Sequence, residues 1–229
     1  MFGPRHLHRL GLMISALGSL PSQSRVLDAA CGLGQLASRM KSRGYRAFGL
    51  DGELMAALHT LRTANVPAVV GDMARLPFRD AAFDAITSGE TLEHLDDDRA
   101  AAHELARVAC SGARCVVTVP ALPMLWTASD DYYEHRRRYT RDGLIELMRS
   151  GGFDVQRASY WGFPLMLVYD TLFLLPMNKA RARRGSLPAV ARAGRATWLV
   201  ALVRALFSID RLFQFIPFGP GLLLVAARR

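Results

Sequence analysis

The feature that most constrains the fold is a regular alternation of short apolar runs with segments of helical composition. The apolar runs, which have the length of buried strands, lie at 25–30, 45–50, 66–70, 83–87, 114–119, 153–160 and 222–227. The segments of helical composition between them lie at 35–43, 53–63, 97–109 and 140–148. Such alternation is typical of βαβ units, because a parallel strand pair needs a helical crossover. The sequence therefore predicts an α/β fold: a doubly wound, seven-stranded, mostly parallel sheet with helices on both faces.

One long segment interrupts this pattern just before the last strand. Residues 163–216 combine an apolar stretch at 165–175, an arginine-rich link at 179–195 and a helical segment at 196–216. We therefore divide the chain into a domain formed by 1–162 and 217–229 and a helical insertion at 163–216, which would cover the site or dock on a membrane. The small or polar residues of its last helix form one narrow stripe: Thr197, Ala201, Arg204, Ser208 and Arg211. The rest of that helix is apolar, so it should bury most of its surface against protein, lipid or a partner.

The charge of the chain is unevenly distributed. The formal net charge is +9, and residues 179–229 account for all of it, with ten basic residues and Asp210 as the single acid. A basic segment can bind nucleic acid, anionic lipid or an acidic partner. Here the basic residues alternate with Leu, Val and Phe rather than with Gly, Ser and stacking aromatics. This pattern disfavours nucleic acid and favours an anionic membrane surface.

Cysteine usage and the apolar stretches bear on location. The three cysteines form no C-x-x-C pair, so the sequence indicates neither a disulfide framework nor a metal site, and a reducing compartment fits. Residues 1–24 mimic a signal peptide, but glycines and serines interrupt the apolar stretch, which favours an amphipathic helix that covers the domain. The apolar segment 158–178 is broken by Gly162, Pro164 and Asp170, which disfavours a membrane span. We expect a cytoplasmic protein that can associate with the inner face of the membrane; the sequence leaves its oligomeric state open.

Polar and glycine residues follow the first three strands. Gly32 and Gly34 let the backbone approach a ligand closely, and Asp51 follows them at the spacing at which a carboxylate meets a ribose diol. Asp72 adds a third carboxylate after the third strand. Ligands of open parallel sheets bind beyond the carboxyl ends of the strands, so these residues predict a nucleotide-like ligand there.

Several motifs then carry a family resemblance. They are V-L-D-A-A-C-G-L-G (Val26–Gly34), F-G-L-D (Phe48–Asp51), G-D-M-A-R-L-P-F-R-D-A-A-F-D-A-I (Gly71–Ile86), T-L-E-H-L (Thr91–Leu95) and S-G-A-R-C-V-V-T-V-P (Ser111–Pro120). In this order they resemble the motifs of class I S-adenosylmethionine-dependent methyltransferases, of the type 11-like kind, which have a Rossmann-like sheet. H-R-R-R-Y-T (His135–Thr140) resembles the H-x-R-R-Y-[ST] element of a subgroup. The chain departs at Ala30, where the family usually has glycine.

The resemblance implies a role for each matching residue. The cofactor-binding set would be Asp28, Ala30, Gly32, Gly34, Asp51, Gly52, Asp72, Met73 and Ser88. Within it, the Gly32–Gly34 backbone would pass under the methionine part and Asp28 would accept hydrogen bonds near the ammonium group. Asp51 would take both ribose hydroxyls, and Asp72 with the Met73 backbone would read the adenine edge. Residues 88–90 would lie beside the sulfonium and the acceptor.

The catalytic candidates are His135 and Glu90. Methyl transfer from a sulfonium depends mainly on alignment, but a hydroxyl acceptor must lose its proton, and His135 is the candidate base. Alternatively, His135 orders its loop while Arg137 and Arg138 pair with Asp130, Asp131 or Glu134. His94 is either a site residue or a helix-start residue packed beneath the site.

The sequence thus predicts an S-adenosylmethionine-dependent methyltransferase acting on a small-molecule or lipid-linked acceptor, at a hydroxyl. The acceptor itself is left open. Two alternatives are a nucleic-acid methyltransferase that uses the basic C-terminal segment and a non-catalytic cofactor-binding subunit. A nicotinamide-dependent oxidoreductase is disfavoured, because Lys41 and Lys179 are the only lysines and neither completes a Tyr-x-x-x-Lys motif.

Overall fold

The seven predicted strands form one sheet. The computed structural model describes residues 3–183, 197–213 and 215–229. The strands are β1 (Arg25–Ala29), β2 (Arg46–Asp51), β3 (Ala68–Val70), β4 (Phe83–Gly89), β5 (Ala109–Pro120), β6 (Phe153–Trp161) and β7 (Gly221–Arg228). They are arranged in the order β3-β2-β1-β4-β5-β7-β6. Strand β7 runs antiparallel to the β5 and β6 strands on either side of it, and the pairs among β1 to β5 are all parallel. The predicted doubly wound, mostly parallel sheet is therefore confirmed.

Helices cover both faces of this sheet. They are α1 (Pro4–Leu17), α2 (Gln35–Ser42), α3 (Leu54–Thr63), α4 (Asp98–Val108), α5 (Ala128–Tyr132), α6 (Arg141–Ser150), α7 (Leu165–Tyr169), α8 (Leu175–Arg183) and α9 (Thr197–Phe207). Side chains of α4 and α6, such as Leu105 and Met148, fill one core layer. Side chains of α1 and α2, such as Met13 and Met40, fill the other. The predicted amphipathic helix near the N-terminus is thus confirmed as a cover of the sheet.

Element ends follow local capping chemistry. Asp97 accepts a hydrogen bond from the Ala100 amide (2.8 Å), and the Thr140 hydroxyl accepts one from the Gly143 amide (3.1 Å). These caps satisfy amide groups that the first helical turn leaves unpaired. Strand β5 begins at Ala109, five residues earlier than the sequence indicated, because Ala109 already pairs with Phe83; an irregularity that includes Gly112, with a φ of 75°, separates this pair from the one between Ala85 and Arg114.

The insertion lies between β6 and β7. Its described part runs from α7 through a π-helical turn (Asp170–Leu174) into α8, and then from α9 into a 3₁₀ turn (Ser208–Phe213). The carboxylate of Asp210 accepts hydrogen bonds from the Leu165 and Met166 amides (2.9 and 3.1 Å) and so holds the start of α7. Most of the predicted arginine-rich link at 179–195 lies outside the described residues.

The last helix of the insertion is shorter and more exposed than the sequence suggested. It buries Phe207, but Trp198 is 69% exposed and Leu212, in the following 3₁₀ turn, 72%. The sequence predicted that this helix would bury most of its apolar surface. In the described part of the chain much of that surface is instead exposed. Among the residues described, no helix has both the length and the apolar character needed to cross a membrane.

Candidate active site

The turn after β1 combines two glycines in the left-handed region of backbone conformation. Gly32 has a φ of 53° and Gly34 a φ of 71°. A Cβ at Gly34 would lie 2.6 Å from the Thr60 hydroxyl oxygen, whereas one at Gly32 would meet no atom within 4 Å. Gly34 is therefore required by packing against α3. Gly32 instead leaves open space above the backbone.

Asp51, at the end of β2, is fixed towards this turn. One of its carboxylate oxygens accepts a hydrogen bond from the Gly32 amide (2.8 Å) and the other from the Glu53 amide (3.0 Å). The two contacts join the ends of β1 and β2 into a single edge. The predicted neighbourhood of Asp51 and the glycine turn is therefore present.

Asp28 lies deeper in the same site. It is buried, and its carboxylate accepts hydrogen bonds from the Ala37 amide (3.1 Å) and the Thr87 hydroxyl (3.0 Å). Burial raises the pKa of Asp28 to about 7, although these hydrogen bonds act in the opposite direction. A positively charged ligand nearby can therefore shift this carboxyl group towards its charged form near neutral pH.

These residues line a cavity of about 280 Å³, which we call the cofactor cavity. Of the predicted site residues, it is lined by Asp28, Ala30, Gly32, Asp51 and Glu90. Sequence reasoning missed the contribution of α1, which supplies His6, Arg9, Leu10 and Met13 to the wall. Helix α1 is therefore part of the site as well as a cover.

The other predicted cofactor residues lie around this cavity rather than in its wall. Asp72 is exposed, and its side chain accepts a hydrogen bond from the Ala74 amide (2.8 Å). Met73 is buried in the core, Gly52 is exposed, and Ser88 is buried with a hydroxyl that has no hydrogen-bond partner. The roles of these four residues in cofactor binding stay predictions.

Two arginines of α1 hold Glu90. Arg9 lies 3.2 Å and Arg5 3.6 Å from the same carboxylate oxygen, and Arg5 also lies 3.2 Å from Asp170 of the insertion. Glu90 itself has a left-handed backbone, with a φ of 56°. The sequence signal for this cluster is a pair of arginines four residues apart in the first half of an amphipathic helix. The residues next to Glu90 and Asp170 in the sequence do not indicate that these two acids pair with the arginines of α1.

A second cavity, of about 230 Å³, lies on the side of the insertion. Its wall is mostly apolar, with Met124, Leu125, Trp126, Leu167, Leu174, Leu175 and Pro220, and its polar end contains Arg5, Asp130, His135, Arg138 and Asp170. We call it the acceptor pocket. Arg5 lines the acceptor pocket and contacts Glu90, which lines the cofactor cavity, so the two cavities adjoin at this ion pair.

Asp130 organises the polar end of the acceptor pocket. The carboxylate is buried, lies 2.9 Å from Nδ1 of His135, and accepts hydrogen bonds from Nε and Nη2 of Arg138 (2.7 and 2.8 Å). Arg138 thus pairs with Asp130, which is one of the partners that the alternative interpretation of the sequence offered. The pairing expected for Arg137 is wrong, because Arg137 reaches α4 instead and lies 3.0 Å from Asp98.

Glu93 and His94 lie next to His135. Glu93 is fully buried, and neither of its carboxylate oxygens has a hydrogen-bond partner. Burial raises the pKa of Glu93 to about 8. The rings of His94 and His135 meet edge to face, with centroids 4.9 Å apart. His94 is therefore part of the polar cluster that continues from the acceptor pocket.

Comparison with known proteins identifies the family. Residues 27–117 match the family described as Methyltransferase domain. Demethylmenaquinone methyltransferase of Corynebacterium kroppenstedtii is 35% identical over 111 residues, which are 47% of this chain and 48% of that protein. The chain contains a class I S-adenosylmethionine-dependent methyltransferase domain. The predicted family is thereby confirmed, and S-adenosylmethionine is the cofactor of that family.

The match to this methyltransferase family is partial. The enzyme of the same name from a Roseiflexus species is 35% identical over 154 residues, which are 63% of this chain and 61% of that protein. The chain spans about half the length of the first curated relatives that it matches.

Solved structures share the methyltransferase fold over nearly the whole chain. The complex of a Haloferax volcanii methyltransferase activator with a methyltransferase superposes with a TM-score of 0.63 at 21% identity, covering 98% of this chain and 90% of that one. The cyclase SpnF gives a TM-score of 0.67 at 21% identity, covering 98% and 81%. Geranyl diphosphate C-methyltransferase of Streptomyces coelicolor gives 0.65 at 16% identity, with coverage of 98% and 81%. At these identities the likeness establishes the fold alone.

The conformation of Ala30 leads to a prediction about this methyltransferase domain. Ala30 has a φ of 63°, which costs an L-residue about 1–2 kcal/mol, whereas glycine adopts it freely and loses only about 0.5–1 kcal/mol through chain entropy. We expect Ala30→Gly to raise the free energy of unfolding by about 0.5–1 kcal/mol, measured by urea denaturation. Ala29→Gly, in the adjacent extended strand, should lower it. A fall of equal size in both variants would contradict the strain at Ala30.

Proposed function

We propose that this chain transfers the methyl group of S-adenosylmethionine to a hydroxyl of a lipid-linked acceptor bound in the acceptor pocket. The observation that carries the proposal is the adjacency of two cavities of different character. One is lined by the glycine turn and the carboxylates of Asp28 and Asp51, and the other by apolar side chains that end in the Asp130–His135 pair.

The cofactor cavity fits the chemistry of S-adenosylmethionine. A Cβ at Gly32 would project into open space at the cavity wall, so the bare backbone there leaves room for a ligand. Asp28 would hold the ammonium group and Asp51 the ribose hydroxyls. When bound, the cofactor supplies a methyl group on a positively charged sulfur, so that alignment of the acceptor provides most of the acceleration.

The acceptor pocket fits a molecule with an apolar body and a polar end. Apolar side chains form most of its wall, and three of them, Leu167, Leu174 and Leu175, belong to the insertion. The arginines at its polar end are paired with Asp130, Glu90 and Asp170. The pocket therefore favours an uncharged polar group, such as a hydroxyl, over a free anion.

In this proposal His135 accepts the proton of that hydroxyl. Its Nδ1 is engaged by the Asp130 carboxylate at 2.9 Å, which leaves Nε2 as the free ring nitrogen. A carboxylate on one imidazole nitrogen fixes the tautomer and the orientation of the ring, so that the other nitrogen can accept a proton. Glu90 has a positioning role in this proposal, since its carboxylate holds Arg5 and Arg9 between the two cavities.

The relatives support an apolar acceptor. The two similar proteins named above are demethylmenaquinone methyltransferases, and by that name they act on a quinone that carries a lipid tail. Radiolabelled S-adenosylmethionine incubated with the protein and with separated lipid and aqueous extracts tests the proposal. We expect the label in the lipid fraction. Label only in the aqueous fraction, or none with a protein that binds cofactor, would overturn it.

Cofactor binding itself gives a second prediction. Asp51→Ala should weaken the binding of S-adenosylmethionine by about 1.5–3 kcal/mol, roughly tenfold to 150-fold, because it removes an acceptor of charge-assisted hydrogen bonds. Calorimetry with the cofactor and its demethylated product measures the change. Glu53→Ala, which removes an exposed carboxylate two residues away, is the control and should bind as the unmodified chain does. Equal affinity in all three proteins would remove Asp51 from the site.

We also propose that the insertion docks on an anionic membrane surface. Its exposed apolar side chains include Phe173 (62%), Trp198 (69%) and Phe215 (81%), and the exposed Arg183 and Arg211 lie in the same segment. Residues 179–229 carry the whole net charge of +9, which favours anionic lipid headgroups by about 1 kcal/mol for each basic residue near the surface. Docking there would present the acceptor pocket to lipid-linked molecules.

Sedimentation with vesicles tests this docking. We expect binding to anionic but not to neutral phosphatidylcholine vesicles, and weaker binding at higher salt because screening shortens the range of the attraction. Neutralising Arg181, Arg183 and Arg184, the last of which lies outside the described residues, should reduce it. Neutralising the exposed Arg46 and Arg62 of the methyltransferase domain is the matched control. Protein that stays in the supernatant with both vesicle types at low salt would contradict the proposal.

A further inference from the structure

We infer that Glu93, His94 and His135 form a binding site for one divalent transition-metal ion of the Zn²⁺ class. Each residue offers one ligand atom, and the three ligand atoms all lie within 4.8 Å of one another. The sequence indicated no such site, because the residues come from two segments about 40 positions apart and match no metal-binding spacing.

The buried carboxylate is the first observation that points to an ion. Glu93 has no exposed surface, and neither oxygen is hydrogen bonded, although an unpartnered buried carboxylate is costly. The nearest ring nitrogen in the cluster, Nε2 of His94, lies 3.9 Å from Oε1 of Glu93, beyond hydrogen-bond distance. The neighbouring Arg5 and Arg9 favour its charged form but donate no hydrogen bond to it, since Arg9 pairs with Glu90 and Arg5 with Asp170 and Glu90.

The support of the His135 imidazole is the second observation. The Asp130 carboxylate engages Nδ1 of His135 at 2.9 Å, and the ring of His94 lies edge to face against that of His135. Metal-ligating histidines commonly use one ring nitrogen for such a partner and the other for the ion. In His135 the nitrogen left free is Nε2.

The backbone holds the two segments together without the ion. The Arg136 amide donates to the Glu93 carbonyl oxygen (2.8 Å), and Nε of Arg136 donates to the His94 carbonyl oxygen (2.9 Å). Ligands on a tetrahedral ion lie about 3.3 Å apart, so the side chains need to close by up to about 1.5 Å. The side chain of His94 is 39% exposed, which gives it room to turn.

The ligand set selects the kind of ion. Two imidazole nitrogens and one carboxylate suit Zn²⁺ and its first-row neighbours, whereas Mg²⁺ and Ca²⁺ prefer oxygen ligands alone. Three protein ligands would leave a fourth position for water or a substrate group, and one of the three, His135, lines the acceptor pocket. An ion there would occupy Nε2 of His135, so in the loaded protein the ion, as a Lewis acid, would lower the pKa of the acceptor hydroxyl in place of the imidazole.

Metal titration of chelator-treated protein tests the site. Calorimetry with Zn²⁺ and visible absorption with Co²⁺ should show one ion per chain. Glu93→Gln and His94→Gln should each weaken binding by more than about tenfold, whereas His103→Gln, which changes an exposed histidine on α4, should leave it unchanged.

Two results would overturn the inference. One is the absence of stoichiometric binding to the unmodified chain, and the other is a bound ion whose affinity is the same in Glu93→Gln and His94→Gln as in His103→Gln. Circular dichroism of each variant shows whether it is folded. Cofactor calorimetry on the same samples separates this result from the methyl-transfer proposal, since a protein that binds cofactor but no ion contradicts only the metal site.

Discussion

Asp130→Ala is expected to destabilise the folded chain by about 3–5 kcal/mol, because it leaves a buried guanidinium and a buried imidazole without their shared carboxylate. The side chains of Arg138 and His135 are only 11% and 12% exposed, so water cannot replace the lost partner fully. The same carboxylate also accepts hydrogen bonds from the Thr127 amide and hydroxyl at the start of α5. Denaturant unfolding measures the loss.

A neighbouring carboxylate provides the control. Asp131 is exposed and accepts one hydrogen bond, from the Trp126 indole (2.9 Å), so Asp131→Ala should cost no more than about 1 kcal/mol. If the two variants unfold at the same denaturant concentration, Asp130 does not organise the pocket.

The Asp130 cluster also predicts how the folding stability changes with pH. Burial alone would raise the pKa of Asp130, but hydrogen bonds from His135 and Arg138 outweigh it and hold the pKa well below its usual range. A depressed carboxylate stabilises the fold above its ordinary pKa of about 4 and loses that contribution as pH falls towards the lower, folded-state value. Below pH 4 we therefore expect the stability difference between the unmodified chain and Asp130→Ala to shrink.

Gly34→Ala is expected to cost about 2–4 kcal/mol of folding free energy, from a left-handed alanine and an overpacked contact together. The added Cβ would lie 2.6 Å from Oγ1 and 2.8 Å from Cγ2 of Thr60, in a helix that packs against the turn. Gly32→Ala has the same backbone penalty without the contact, so it should cost only about 1–2 kcal/mol. Its Cβ should instead weaken cofactor binding.

A double mutant separates the contact from the backbone strain. Thr60→Ala removes both clashing atoms, so combining it with Gly34→Ala should recover about 1 kcal/mol relative to the sum of the single changes. Additive costs would show that Thr60 is not the obstacle. Equal stability of Gly34→Ala and Gly32→Ala would lead to the same conclusion.

The elements that the sequence predicted well are those whose determinants are local. The apolar runs at 25–30 and 83–87 specify buried strands, and the Asp97 and Thr140 caps mark the starts of helices. The glycine turn and Asp51 come together because the carboxyl ends of adjacent parallel strands meet at one edge. Such features depend on spacing along the chain, which a single sequence displays.

The parts that the sequence could not predict depend on contacts between distant segments. Nothing near Glu90 indicates that Arg5 and Arg9 hold it, and nothing near Asp170 indicates that it pairs with Arg5. The resemblance identified Ala30 as a departure, but only the backbone showed that it adopts the left-handed conformation. The burial of Glu93 likewise arises from tertiary packing.

The two ends of the insertion leave the sheet from paired residues. Trp161, the last residue of β6, lies opposite Gly221, the first of β7. Because the exit points are neighbours, each doubling of the connecting length costs only about 0.6 kcal/mol of closure entropy. Segments of other sizes can therefore be inserted at this junction while the strand register is kept, and under the proposed function they would change the part of the acceptor pocket that Leu167, Leu174 and Leu175 line, without changing the cofactor cavity.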